Sequence, residues 1–356
     1  MSKPIQNIAV IRLSAMGDVA MTVSVIRAFV EQNPSVKIIF VSRPFYKPFF
    51  DGIPNVNFFA VDVQKRHKGF SGLVKLYFDL KKLNIDAVAD LHNVLRSQII
   101  RTFFALNGKR VAFTDKGRAE KRALTRAENK IFKPLKTIVE RHVETFKKIG
   151  FSIDLSKPKF PRTPNISPDV LKITGEKENQ KWIGVAPFAQ YQSKVYPRDL
   201  MQNVIDNLAS DTNYKIFLFG GGSEEIEILN SFANGKENVI NVAGKLELHQ
   251  ELILISNLDV MLSMDSGNAH IAAMLGIKVI TLWGATHPFA GFAPFNQPAE
   301  NCIVSDREKY PLVPTSVYGN KKVAGYEDAM RTISVEAVVG KIKNDIVSLK
   351  EERPLR

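Results

Sequence analysis

The chain holds a single cysteine, Cys302, which excludes a disulfide framework and any metal cluster built on thiolates, and suits a reducing cytoplasm. Six histidines stand without paired ligand spacing and give no zinc signature. No G-x-G-x-x-G follows the first apolar run, which argues against a dinucleotide oxidoreductase. No G-x-x-x-x-G-K-[ST] occurs, which argues against a P-loop ATPase or kinase. An Asp-x-Asp triplet is absent too, so a metal-dependent nucleotide-sugar site of that kind is not expected. No apolar stretch approaches the ~20 residues that span a bilayer. The run over 8–13 is too short and wrongly flanked for a signal peptide.

Carboxylates are also scarce relative to cations: 36 Asp and Glu against 49 Lys and Arg leave a net charge of +13. The excess is concentrated over 101–148, where Arg101, Arg110, Lys116, Arg118, Arg122, Arg126, Lys130 and Arg141 stand among few acids. Such a region suits a nucleic acid, an anionic membrane surface or a phosphorylated acceptor, and equally a solubilising surface with no partner. Few aromatics are interleaved for base stacking and no nucleic-acid motif is present, so nucleic acid is the least favoured partner.

What remains is a globular composition, 45% hydrophobic and 24% charged over 356 residues, long enough for two domains. Short apolar runs alternate with amphipathic segments: strands at 7–13, 37–41, 57–61, 85–91 and 110–113, with helices at 19–31, 70–83 and 95–106. The basic stretch 115–136 loses periodicity and reads as either a mobile loop or an irregular helix pair. An amphipathic helix over 137–149 and a proline-rich linker over 156–168 follow. A second alternating series then runs from Trp182 to a final amphipathic helix at 334–349. Strand–helix alternation at this spacing predicts an α/β chain of two doubly wound parallel domains, 1–165 and 166–333.

Three strand-to-helix turns carry the polar residues that could do chemistry. In Ser14-Ala15-Met16-Gly17-Asp18, Gly17 permits close backbone approach. Asp18 reads either as a general base or as a favourable charge in a first helical turn. After the strand ending at Ala186, Ser193 and Lys194 precede the next helix; the lysine reads as a counter-charge for a diphosphate or as an exposed loop residue. The third turn, Asp265-Ser266-Gly267-Asn268, lies between an apolar run at 258–262 and a helix holding His270 to Leu275. Its amides suit phosphate and its carboxylate suits sugar hydroxyls, while His270 reads equally as a core histidine.

These turns together resemble glycosyltransferase family 9, the bacterial heptosyltransferases that extend lipopolysaccharide core. The likeness rests on Arg12-Leu13-Ser14-Ala15-Met16-Gly17-Asp18-Val19, on Lys194-Val195-Tyr196-Pro197, and on Asp265-Ser266-Gly267 through His270 to Trp283-Gly284-Ala285-Thr286-His287-Pro288. The resemblance implies a GT-B fold, two Rossmann-like domains facing a central cleft, with the helix over 334–356 crossing back onto the first. It implies an inverting enzyme that needs no metal or cofactor, acting on a nucleotide sugar, ADP-heptose above others, and on an anionic glycolipid acceptor. The enzyme is then expected to be cytoplasmic and peripheral to the inner membrane, with no nucleic-acid partner.

Carried over by position, Asp18 is the catalytic base, with Ser14, Gly17, His92, Arg96, Arg118 and Arg122 on the acceptor side. Lys194, Ser193, Asp265, Ser266, Gly267, Asn268 and His270 form the donor side, with Glu224 or Glu225 near the nucleoside. One departure stands out: where characterised heptosyltransferases have small hydroxyl residues before the lysine, this chain has Phe188-Ala189-Gln190-Tyr191-Gln192-Ser193. The rival readings are a sugar-nucleotide epimerase or hydrolase of the same fold and a basic nucleic-acid-binding protein.

Overall fold

The computed structural model describes residues 4–352 and divides into two compact units, Met1–Arg118 with Lys136–Lys159, and Ala119–Leu135 with Phe160–Arg356. Among the described residues no helix is long and apolar enough to cross a membrane.

The first unit is built on five parallel strands: β1 (Asn7–Ile11), β2 (Lys37–Ser42), β3 (Val56–Ala60), β4 (Ala87–Asp90) and β5 (Arg110–Phe113). Their order across the sheet is β3-β2-β1-β4-β5. β1 is apolar on both faces because helices cover both, the usual condition of a parallel sheet. Ala9 and Ile11 meet Leu73, Leu76 and Leu80 of α2 (Gly69–Lys81) and Ile100 and Phe104 of α3 (Leu95–Leu106). The alternate residues Ile8 and Val10, also fully buried, face the opposite side. There α1 (Met16–Gln32) packs against a later helix of the same unit. The chain leaves this unit through α4 (Arg118–Thr125) and returns in α5 (Ile138–Lys148), the helix that packs on α1. α5 starts where its sequence dictates. The Thr137 hydroxyl accepts from the Glu140 amide at 3.2 Å, and the Glu140 carboxylate accepts from the Thr137 amide at 2.7 Å.

The second unit opens with α6 (Pro168–Thr174), a short helix with proline at its first position that falls just past the expected linker. Six parallel strands follow: β6 (Lys181–Ala186), β7 (Tyr214–Leu218), β8 (Val239–Asn241), β9 (Val260–Met264), β10 (Lys278–Trp283) and β11 (Cys302–Val304). They lie in the order β11-β10-β9-β6-β7-β8. The connecting helices are α7 (Arg198–Ala209), α8 (Ser223–Ala233), α9 (Leu248–Ser256) and α10 (Gly267–Met274), and the chain closes with α11 (Val335–Glu352).

β1 ends at Ile11, α1 starts three residues earlier than read, at Met16, and β11 was not read at all; three further differences bear on the site and the units. β9 ends at Met264 rather than Leu262, and α10 begins at Gly267, so Asp265 and Ser266 alone form the turn. Residues 115–136 contain one short helix, α4, and Ala119–Leu135 packs with the second unit rather than with the domain ending at 165. The final helix, expected against the first domain, instead lays Val338, Val339, Ile342 and Ile346 into the second unit's core beside Val204, Ile205 and Leu208 of α7. Residues 353–356 of that expected helix lie outside the described residues. An amphipathic face specifies that a helix must be covered, not which sheet covers it.

The chain's two tryptophans, Trp182 and Trp283, are both fully buried in the second unit, so their fluorescence reports that unit alone. Ile342 is 0% exposed. Ile342→Ala is expected to destabilise the tryptophan-reported denaturant transition by about 2–5 kcal/mol. A helix seated on the first unit would leave that transition where it was.

Candidate functional site

In a doubly wound sheet the strand order reverses once, and the loops on either side of the reversal diverge to leave a crevice at the strands' C-terminal ends. In the first unit the reversal lies between β1 and β4. The loop after β1 carries Arg12 to Asp18, and the loop after β4 carries Leu91 to Asn93.

Arg12 organises this end. Its side chain is only 7% exposed, and three of its donors are used: Nε to the Ser14 carbonyl at 2.9 Å, Nη1 to the Leu91 carbonyl at 2.7 Å, and Nη2 to Asp18 Oδ2 at 2.6 Å. One guanidinium thus joins the ends of both strands and aims a carboxylate that is itself 31% exposed. Asp18 is the third residue of α1, after Met16 and Gly17, and its Oδ2 also accepts the Ala15 amide at 3.3 Å.

His92 sits beside this pair, its Nδ1 accepting the Leu13 amide at 3.4 Å. Burial, with Arg12 and then Lys116 adding repulsion, pushes its pKa down to about 3. The ring is neutral at physiological pH with its proton on Nε2, a hydrogen-bond donor rather than a cation. Lys116 is likewise lowered, first by burial and then by Arg12 and Arg118. Deeper in, Asp90 is fully buried and paired with Arg101 at 2.9 Å. It also accepts the amides of His92 and Asn93 at 3.0 and 2.7 Å, which fixes the loop that presents the imidazole.

The structure therefore gathers Ser14, Gly17, Asp18, His92, Arg96 and Arg118 at one end of the first unit, as the repulsions on His92 and Lys116 record. Arg122 is exposed on α4 and belongs by packing to the second unit. Arg12 and Lys116 were missed as site residues. An arginine closing a run of buried apolar residues was the available signal for the first, since a buried cation demands partners. Lys116 had none.

The second unit's reversal lies between β6 and β9, whose loops carry Lys194 and Asp265. Lys194 Nζ meets Asp265 Oδ2 at 2.9 Å, and the same oxygen accepts the Thr286 hydroxyl at 2.9 Å. Both side chains of the ion pair are buried, at 13% and 9% exposure. Two glycines shape the surroundings. A Cβ on Gly284 would stand 2.4 Å from the Ser193 carbonyl oxygen. At Gly319, in the left-handed region at φ +85°, a Cβ would stand 2.5 Å from the Lys194 stem. Ser193 donates its hydroxyl to the Gly319 carbonyl at 2.7 Å, so that proton is committed to holding the loop. Thr286, Gly284 and Gly319 were not read as site residues; the first two lay inside the motif quoted for the resemblance.

α10 starts directly after this pair. Ser266 is its cap, Gly267 and Asn268 are its first two residues, and the amides of its first turn have no helical partner to their N-terminal side. His270 follows in the same turn, 7% exposed. Glu224 and Glu225 open α8, on the neighbouring β7. Glu225 accepts the Gly221 amide at 2.8 Å and so braces its own glycine turn, while Glu224 is exposed and lies 3.5 Å from Arg198. The C-terminal ends of β10, β9, β6 and β7, adjacent in that order, thus present Thr286, Asp265, Lys194 and Glu225. Three inter-strand steps span about 14 Å, so the row suits an extended ligand.

Residues 119–135 are pinned to this unit's far loop. Lys130 Nζ donates to the Leu312 and Pro314 carbonyls at 2.5 and 2.7 Å. The Phe132 ring lies against His287 at 5.0 Å and under the Arg307 guanidinium at 3.5 Å. Burial, and then Arg307, lower Lys130 to about 8 and His287 to about 4.

His92 and His287 both have depressed folded-state values. Between pH 6.5 and about 4 the unfolded chain takes up protons that the folded chain refuses, so stability is full above 6.5 and falls as the pH drops through that window. In an NMR titration the His92 ring is expected to show no protonation step between pH 8 and 4.5. A midpoint near 6.5 would contradict the packed, cation-flanked environment.

Comparison with known proteins agrees with these two geometries. The family described as glycosyltransferase family 9 (heptosyltransferase) matches residues 73–322. The chain is 26% identical over 347 residues to the lipopolysaccharide core heptosyltransferase OpsX of Haemophilus influenzae, covering 95% of this chain and 96% of that protein. Among solved structures, a family 9 glycosyl transferase from Veillonella parvula superposes with a TM-score of 0.75 at 18% identity, over 98% of this chain and 99% of that one. The E. coli heptosyltransferase WaaC, solved with ADP, superposes with a TM-score of 0.67 at 19% identity, over 96% and 100%. Two Rossmann-like units of the GT-B class and a family match across 73–322 lead to one assignment: the chain belongs to glycosyltransferase family 9 and is a glycosyltransferase.

Proposed function

We propose that the protein is an inverting, metal-independent glycosyltransferase that moves heptose from ADP-heptose to a lipopolysaccharide core or related glycolipid acceptor. The observation that carries the donor side is the buried Lys194–Asp265–Thr286 cluster set against the first turn of α10. It offers a cation and a helix N-terminus together, which is what a departing diphosphate requires. Lys194 is paired with Asp265, so a bound diphosphate would compete for Nζ and leave the carboxylate and Thr286 for sugar hydroxyls. Adenine as the base and heptose as the sugar are supported by relatives named as heptosyltransferases and by one solved with ADP.

Asp18 is the group proposed to take the acceptor's proton. Arg12 orients its carboxylate at the α1 N-terminus, ready to accept. As the acceptor oxygen attacks the anomeric carbon, its proton passes to Asp18 and the bond to the diphosphate breaks, with inversion at that carbon. Neutral His92 is placed to donate a hydrogen bond through Nε2, and the cations around it suit a phosphorylated or acidic acceptor. With the net charge of +13 these features support a cytoplasmic enzyme that works peripherally at the inner membrane, and the few aromatics interleaved in the basic region argue against a nucleic-acid partner.

Thermal denaturation with a panel of nucleotide sugars tests the donor assignment. ADP-heptose and ADP are expected to raise Tm, with UDP and GDP sugars inert. A chain unmoved by every nucleotide would remove the proposal. Asp18→Asn is expected to lower turnover by about 10²–10⁴-fold while ADP still raises Tm to the wild-type extent. Lys194→Ala should weaken the ADP response itself.

A further inference from the structure

We infer that the outer face of the α2–α3 layer is a docking surface for an anionic phospholipid bilayer. The inference rests on the peripheral placement proposed above, not on the identity of the donor.

Both helices bury one face in the first unit's core and leave the other to solvent; on α3 the solvent face is mainly apolar, and on α2 two phenylalanines stand on it among Ser71, Lys75 and Lys81. Phe70 and Phe78 of α2 are 66% and 53% exposed, and Leu95 and Leu106 of α3 are 73% and 78% exposed. Leu95 and Leu106 are eleven residues apart, about 20° around an α-helix, so they stand on one stripe with Ile99 between them. The two helices are bridged by aromatic contacts, Phe70 to Phe103 at 6.4 Å and Tyr77 to Phe103 at 5.4 Å. The exposed Phe70 therefore meets α3 through the half-buried Phe103, and the exposed Phe78 is joined to that contact through Tyr77, which is itself buried. Exposed apolar area of this kind marks a binding face.

Charge selects the occupant. Over residues 64–109, Lys65, Arg66, Lys68, Lys75, Lys81 and Lys82 are exposed, and no carboxylate is. Asp79 is taken up by Arg66 at 2.7 Å, Asp86 by the Gln6 and Asn7 amides at 3.0 and 3.1 Å, and Asp90 by Arg101. Exposed aromatic and aliphatic residues ringed by long cations, with every acid withdrawn, match an interface of acyl chains under anionic headgroups. A second copy of the chain does not fit. A two-fold contact through this face would set these cations against themselves, and only Arg66 and Lys82 have Asp79 to offset them.

The placement has a consequence for the site. Leu95 begins α3 directly after the His92 loop, so the stripe's catalytic end lies next to the proposed acceptor residues. A glycolipid could then keep its acyl chains in the bilayer while its saccharide meets Asp18.

Sedimentation of the full chain with vesicles of phosphatidylethanolamine and phosphatidylglycerol (3:1), against phosphatidylcholine vesicles, tests the assignment. Wild type is expected to bind the anionic vesicles and to lose at least tenfold in affinity at 0.5 M salt or on the neutral ones. The Phe78→Ser/Leu106→Ser double variant is expected to lose at least tenfold with its melting temperature and ADP response unchanged, and Lys75→Glu/Lys81→Glu likewise. Wild-type binding by the Ser variant, or no binding by wild type, would overturn the inference. So would a solution dimer that the Ser variant turns into monomer, which would assign the face to a second copy. Absence of an ADP shift with vesicle binding intact would remove the donor reading and leave this surface standing.

Discussion

Parallel strands leave no freedom over where their connections gather. Every strand in both sheets runs the same way, so every strand-to-helix turn emerges on one edge, and the single reversal of order in each sheet decides where two neighbouring turns part. Residues distant in sequence, such as Arg12 and Leu91 or Lys194 and Asp265, meet for this reason alone. The rest of each site is the local consequence of what stands in those turns.

The two units use an ion pair in opposite ways. In the first, the cation is the buried partner: Arg12 is enclosed and fully engaged, and the carboxylate it aims remains partly open to solvent. Such a pair fixes the position of a carboxylate that solvent can still reach. In the second, both partners are enclosed and share one carboxylate oxygen with Thr286. A buried pair is held by the difference between two large terms, desolvation and mutual attraction, so an incoming anion that replaces the aspartate at Nζ alters a near balance.

Fold class, most of the strands and helices along the chain and the three polar turns were legible in the sequence because they rest on local signals: period, caps, glycines and short motifs. The same signals put Lys194 and Asp265 each in a turn after a strand; only the family resemblance set the two together. They could not place the ends of β9, because the run from Leu258 to Met264 is apolar apart from Asp259 and Ser263 and periodicity does not mark where it stops. They could not assign α11, whose apolar stripe would fit either sheet. Least visible was residues 119–135. Read as a basic surface, the segment spends Lys121 against Phe292, Lys130 on two carbonyls and Phe132 under Arg307, all contacts with residues more than 150 positions away. Arg12 was visible as a motif residue but not as the group that aims Asp18, because aim is a property of three dimensions.

The allegiance of that segment bears on how such a chain can be recombined. The first unit is discontinuous in sequence, interrupted by residues whose packing partners lie beyond the proline-rich linker. Cutting at the linker would strand Phe132 and Leu135 without the loop that covers them, since the Leu135 amide donates to the Phe289 carbonyl and Phe132 packs on His287. Exchange of C-terminal halves between relatives is therefore not a single-crossover event. The incoming half would have to bring its own version of 119–135, or the graft would inherit an insert matched to a loop it no longer has.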